Sequence, residues 1–175
     1  FLLHEDADVL AVCDIDQNTL AAAKAKAGER VRGYADFREL MDRQDIDAIV
    51  IATPDHWHAI QSISACDAGK DVYVEKPLAV TVHEGRCMVD AARRNKRVVQ
   101  VGTHRRSSPM YRELARRVSR NDFGKICVSR AYRLSNMFPD GIGRQRPKTP
   151  PKALNWDMWL GPRPFQPYQE NIAPY

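Results

Sequence analysis

Four short apolar runs, Val9-Leu-Ala-Val-Cys13, Ala48-Ile-Val-Ile-Ala52, Asp71-Val-Tyr-Val74 and Val98-Val-Gln-Val101, recur with helix-like stretches between them. The first two are almost uninterrupted, as strands buried on both faces are, and such strands belong to parallel sheets covered by helices. Asp16 can cap Leu20-Ala-Ala-Ala-Lys-Ala-Lys-Ala27, a stretch of high helix propensity that Gly28 ends. A short strand near Val31 and a helix over about 36–42 come next. Helices over about 57–68, stopped by Gly69, over 81–95 and over 109–119 complete the pattern. Strands alternating with helices of this length predict right-handed crossovers and a doubly wound parallel α/β sheet.

Composition narrows the class. The chain has 175 residues, 43% of them hydrophobic and 28% charged, enough for one ordinary core or for one domain and part of another. No apolar run approaches the roughly 18 residues of a membrane span. Residues 1–75 hold 7 basic and 15 acidic side chains, and residues 76–175 hold 20 and 7. The later positives (Arg93, Arg94, Lys96, Arg97, Arg112, Arg116, Arg117, Arg120) fall at helix-like positions without interleaved aromatics, so they read as solvated helix faces and not as a nucleic-acid surface. Cys13, Cys66, Cys87 and Cys127 form no C-x-x-C pair and read as buried free thiols, which fits a reducing compartment.

After residue 119 the character changes. Ile126–Leu134 alternates sides like a half-solvated strand, and 8 of the 11 prolines fall within the 37 residues from Pro139 to Tyr175. The expected division is therefore a nucleotide-binding domain over 1–122 and the beginning of an α+β open-sheet domain over 123–175, ending in a long irregular segment. The opening Phe1-Leu2-Leu3 lacks an initiator Met and a signal pattern, and reads as the start of a fragment.

In an open doubly wound sheet, ligands sit outside the carboxyl ends of the strands. Asp14 is placed to accept both hydrogens of an adenosine ribose diol, or simply to cap the helix that follows. In dinucleotide folds that acid lies about 20 residues after a Gly-rich turn. Only 13 residues precede Asp14 and none is Gly, so that turn and the first βα unit are expected ahead of residue 1. Thr53-Pro54-Asp-His-Trp-His58 follows the second strand and can line a cofactor. His56-x-His58 lacks the third ligand of a metal site, and Trp57 serves packing as readily as function. Glu75-Lys76-Pro77 closes the third strand. A lysine there can hydrogen-bond a substrate hydroxyl or carbonyl with partial burial tuning its basicity, Pro77 can hold a cis bond, and the plain alternative is an exposed ion pair. At Gly102-Thr-His-Arg-Arg106, Gly permits close approach, His104 can face a reacting ring, and Arg105 or Arg106 can hold a polar substrate or be surface charge.

These residues resemble the glucose-fructose oxidoreductase, inositol dehydrogenase and MocA (Gfo/Idh/MocA) family. The resemblance rests on Val12-Cys-Asp14-Ile-Asp16, Ile51-Ala-Thr-Pro54 with His58, Ala68-Gly-Lys-Asp-Val-Tyr-Val-Glu-Lys-Pro-Leu78, and Val99-Gln-Val-Gly102 with Arg106. It implies a Rossmann domain joined to a substrate domain, and hydride transfer between NAD or NADP and a sugar, cyclitol or related polyol. Asp14 would hold the adenosine ribose and favour NAD; Thr53, Pro54 and His58 would line the cofactor, Glu75 would sit by the nicotinamide, and Lys76 would be the catalytic lysine. His104 stands where many relatives have Asn. Relatives also carry an Asp or His acting with the lysine in the second domain, outside this chain, so the stretch alone is expected to bind dinucleotide poorly and not to turn over. Asn155-Trp-Asp-Met-Trp-Leu-Gly-Pro162 with Pro167-Tyr168 looks like a subgroup often exported folded by a twin-arginine signal, so either a cytoplasmic or a periplasmic location is compatible. The resemblance also implies a homo-oligomer with no nucleic-acid or membrane partner. The competing reading is a redox-inactive sugar- or dinucleotide-sensing protein on the same fold, separated from an enzyme by the acid or histidine facing Lys76.

Overall fold

The structure is a computed structural model that describes residues 5–132, 141 and 143–172. Strands β1 (Ala11–Cys13), β2 (Arg32–Tyr34), β3 (Ala48–Ile51), β4 (Asp71–Glu75) and β5 (Val99–Gly102) alternate with helices α1 (Gln17–Ala27), α2 (Arg38–Met41), α3 (Asp55–Asp67) and α4 (Val82–Asn95). A 3-10 turn at His104–Ser107, α5 (Pro109–Ser119) and α6 (Trp156–Leu160) follow. Every strand pairs in parallel. Among the described residues β1 pairs with β2, and β3, β4 and β5 form a second sheet in that order. This is a Rossmann-type α/β arrangement, and the strand and helix pattern of the sequence located each of these elements up to α5.

Local chemistry explains the boundaries. The Asp16 carboxylate accepts the Asn18 and Thr19 N–H groups at the start of α1, and Gly28 ends that helix at φ 105°. A reciprocal capping box, Thr81 with Glu84, starts α4. Lys70 is buried and gives its ammonium to the carbonyls of Arg43 and Ile46, which fixes the loop before β3.

The core lies on one face of the second sheet. Register sets Ile49 beside Val72 and Val99, and Ile51 beside Val74 and Val101. Ala59, Ala65 and Cys66 of α3 and Met88 and Ala91 of α4 pack on that layer. One expectation is corrected here. β3 is not buried on both sides: Ile49 and Ile51 are buried while Ala48 and Val50 are exposed, because α3 and α4 lie on the side of the isoleucines. The cysteines differ from expectation too. All four are free, but only Cys66 is buried, and Cys127 is exposed.

Two compact units result, one made of residues up to Gly102 with Pro147–Gln169, the other beginning at Thr103 and running to Arg146 with the residues from Glu170. The first unit takes in most of the proline-rich segment. The reason is apolar burial: Leu154, Trp156, Trp159, Leu160 and Tyr168 are all buried. Within that segment α6 forms despite the prolines, because Asn155 caps it by accepting the Met158 N–H at 3.1 Å and the prolines flank it. In the second unit, residues 126–132 are exposed and form no strand, contrary to the alternation read there; positions 133 and 134 lie outside the described residues, as do 139, 140, 142 and 173–175 of the proline-rich stretch.

Packing on the shared face yields a stability prediction. Met88→Ala, at a side chain 3% exposed, lowers the unfolding free energy by about 2–5 kcal/mol in urea denaturation. On the same helix Val82→Ala, 92% exposed, stays within about 0.5 kcal/mol of the parent.

Candidate cofactor and catalytic site

Asp14 is the first residue past β1, held by its N–H to the Tyr34 carbonyl at 3.1 Å. Its carboxylate accepts the Asp16 backbone N–H at 2.8 Å. Helix capping therefore falls to Asp16, and Asp14 remains a half-buried acid at the carboxyl edge of the sheet. Burial raises the Asp14 pKa above the ordinary carboxylate value, the backbone N–H of Asp16 opposes that, and the Asp16 charge adds to the rise. Next to it the Cys13 thiol is pushed up to about 12 by burial and by Asp14, Asp36 and Glu39, so it is a neutral packing group and not a nucleophile.

The ends of β3 and β4 meet through one imidazole. His58 is 1% exposed, with Nε2 at 2.8 Å from the Thr53 carbonyl oxygen and Nδ1 at 2.7 Å from the Pro77 carbonyl oxygen. Both ring nitrogens are engaged by backbone, so His58 joins two strand-end loops. The Thr53 hydroxyl donates to Gln61 Oε1 at 2.7 Å, and Pro54 stands at the start of α3 without a side-chain cap, leaving the first-turn N–H groups of that helix to other partners.

Lys76 begins the turn after β4, and the Lys76–Pro77 peptide is cis, as the sequence allowed. The Glu75 carboxylate accepts the Lys76 backbone N–H at 3.1 Å; its contact with Lys76 is thus to the main chain and not to the ammonium. Glu75 is paired with Gly102 across the ladder, and a methyl group on Gly102 would stand 2.9 Å from Glu75 Oε1 and 3.0 Å from the Tyr73 hydroxyl. The nearest of these is the carboxylate end of a flexible side chain, so a methyl group there would need Glu75 to shift. Lys76 itself is exposed, so the partial burial invoked for it in the sequence reading is absent.

Residues 153–160 add contacts that no motif announced. The Asn155 N–H donates to the Ile15 carbonyl at 3.1 Å, and the Gln17 N–H donates to the Ala153 carbonyl at 3.0 Å. Further along, the Trp57 indole N–H donates to the Met158 carbonyl at 2.9 Å, and His56 Nε2 meets the Trp159 carbonyl at 2.8 Å. Trp57 lies so close over Gly161 that a Cβ there would be 2.3 Å from its ring, and Trp156 and Trp159 stack with centroids 4.7 Å apart. Trp57 is therefore a packing residue. The signal available in the sequence was the tryptophan spacing after Asn155, but nothing in it named the partner surface.

Unit one thus links Thr53, His58 and Pro77 directly, sets Glu75 and Lys76 beside them, and joins the Asp14 loop to the start of α3 through residues 153–159. His104, Arg105 and Arg106 belong to the second unit, where they lie exposed on the 3-10 turn. His56 and His58 both face carbonyl oxygens, and among the described residues no group of three or more His, Cys, Asp or Glu is arranged to hold a metal ion. Among the same residues no helix is long and apolar enough to cross a membrane.

The fold and these strand-end residues define a nucleotide-binding Rossmann unit of oxidoreductase type. The family described as "Oxidoreductase family, NAD-binding Rossmann fold" matches residues 1–103, and the chain belongs to it, the Gfo/Idh/MocA family. It is 36% identical over 137 residues to inositol 2-dehydrogenase 1 of Saccharopolyspora erythraea, covering 75% of this chain and 41% of that relative. Its fold is similar to that of scyllo-inositol dehydrogenase from Lactobacillus casei, a structure with bound NAD(H) and scyllo-inositol (TM-score 0.66, 27% identity, 71% of this chain and 36% of that one). The WlbA dehydrogenase from Bordetella pertussis, in complex with NADH and UDP-GlcNAcA, is similar at TM-score 0.66 and 29% identity over 70% of this chain and 35% of that one. The chain spans about two fifths of the length of such relatives.

The residues present suit a nicotinamide dinucleotide: Asp14 offers a carboxylate acceptor at one strand end, and α3 opens with uncapped N–H groups at another. The raised pKa of Asp14 bears on stability. The folded carboxyl is the weaker acid and holds its proton over a pH window in which the unfolded chain has lost it, so Asp14 detracts from stability as pH rises through that window. Asp14→Asn removes this contribution, so its unfolding free energy falls less than the parent's as pH rises through the window, as urea denaturation across pH will show.

Proposed function

We propose that the protein transfers hydride between NAD and a polyol-type substrate, a cyclitol, sugar or sugar nucleotide, with Lys76 as the catalytic residue. The observation that carries this reading is the state of Lys76: an exposed side chain on a main chain fixed on both sides, by the Glu75 carboxylate at its own N–H and by His58 at the Pro77 carbonyl. Such anchoring lets a flexible side chain deliver Nζ to a defined place at low ordering cost. Family membership and the inositol and sugar-nucleotide dehydrogenases among its relatives supply the substrate class.

When bound, the nicotinamide supplies the two-electron chemistry. The chain's own residues have separate tasks. Asp14 accepts from the adenosine ribose hydroxyls, and its negative charge opposes a 2′-phosphate, which favours NAD over NADP. Thr53 and Pro54 border the cofactor at the end of β3, and Glu75 stands over Gly102 by the nicotinamide. Lys76 Nζ hydrogen-bonds the carbinol oxygen, orients its C–H bond, and helps move the hydroxyl proton as hydride passes.

Two measurements test the reading in the full-length protein. Lys76→Ala loses hydride transfer by at least about a thousandfold, within the span of a lost acid–base group and its orientation, while NAD affinity measured by fluorescence titration stays within about threefold. Near-normal turnover in that variant would sink the assignment. NAD also binds more tightly than NADP, and the order reverses or levels in Asp14→Ala; tighter NADP binding by the parent protein contradicts the role given to Asp14.

A further inference from the structure

Residues 153–159 are hydrogen-bonded to two strand-end loops that belong to different parallel ladders. At one end the bonds fall on Ile15 and Gln17. These two residues flank Asp16, whose backbone N–H is the donor that the Asp14 carboxylate accepts at 2.8 Å. At the other end the bonds fall on His56 and Trp57, in the first turn of α3 just past Thr53 and Pro54. Leu154, Trp156 and Trp159 anchor the segment by burial, and Trp156 stacks on Trp159 while its N–H donates to the Gln166 carbonyl at 2.8 Å.

β1 is only three residues long. A carboxylate at the end of so short a strand gains little rigidity from the ladder. The Asn155–Ile15 and Gln17–Ala153 bonds extend the ordered backbone past Asp14. They hold the acceptor in place before a ligand arrives, which lowers the ordering cost of binding. We propose that residues 153–159 are a positioning strap for the cofactor site, setting the affinity of the Asp14 loop for the adenosine ribose and tying that loop to the start of α3. Asn155 is the positioning residue, acting through its backbone N–H on Ile15. The inference rests on the reading of Asp14 as the ribose acceptor and extends it to a segment outside the family's matched residues 1–103.

The test compares two substitutions at one position in the full-length protein. Asn155 has φ −78°, which a proline ring accepts, so Asn155→Pro removes the N–H given to Ile15 together with the side-chain cap of α6. Asn155→Ala removes the cap alone. Calorimetric titration with ADP-ribose, below the melting temperature of every variant, is expected to show affinity about tenfold weaker in Asn155→Pro and within about twofold of the parent in Asn155→Ala, a spread of the size one hydrogen bond supports. Should Asn155→Pro fail to fold, Trp57→Phe takes its place: it keeps an aromatic ring and loses the N–H to Met158, with a loss of about threefold expected. Unchanged ADP-ribose affinity alongside a lowered melting temperature makes the segment purely structural and overturns the proposal, as does equal weakening by both Asn155 variants. Asp14→Ala separates the two readings. If it leaves ADP-ribose binding intact, the ribose assignment and the strap fall together. If it weakens binding while Asn155→Pro does not, the strap alone falls.

Discussion

The parallel register of β3, β4 and β5 is the constraint from which the site follows. Because Ile51, Val74 and Val101 lie side by side over α3 and α4, the three strands end level, and the next residues leave the sheet at one edge. Thr53, Glu75 with Lys76, and Gly102 are there for that reason alone. A slip of one residue would turn the apolar layer to the opposite face. Burial of that layer and placement of the functional groups are therefore one requirement, and the core cannot be repacked in a shifted register without dispersing the site.

Level strand ends bring loops near each other but do not fix them. Polar side-chain contacts do that work. His58 joins the Thr53 and Pro77 carbonyls, Glu75 holds the Lys76 N–H, and Lys70 braces the loop ahead of β3. Each of these side chains satisfies backbone groups that helix and ladder leave unpaired, and His58 and Lys70 thereby link segments far apart in the chain. Lys76 is the contrasting case: its main chain is held while its side chain reaches solvent, an arrangement suited to meeting a substrate.

Much of this was legible from the residues. Period and run length located the strands and helices because apolar spacing is set by the same backbone geometry that makes the elements. Asp16, Gly28 and Thr81 marked helix ends through local hydrogen bonding that needs no distant partner. The likeness to the Gfo/Idh/MocA family could be read from Glu75-Lys76-Pro77 and its neighbours, and the match of residues 1–103 bears it out. Other readings went differently in the structure, each where a distant partner decides: of the four cysteines only Cys66 is buried. β3 is covered on one face only, Lys76 is exposed, and residues 126–132 form no strand; alternation states which residues can share a face, not whether anything covers it.

The sequence by itself determined the order and type of the strands and of the helices up to α5, the parallel class of the sheet and the identity of the groups at its carboxyl edge, because these depend on local propensity and on the few ways crossovers can be wound. Only the tertiary structure decided that His58 gives both nitrogens to backbone, that Glu75 and Tyr73 crowd Gly102, and that Asn155–Trp159 binds back to the loops after β1 and β3. These contacts join residues up to about 140 positions apart, as Asn155 to Ile15. Nothing local specifies such a pair: a tryptophan or an asparagine shows that it will bury or cap, and the shape of the folded surface decides where.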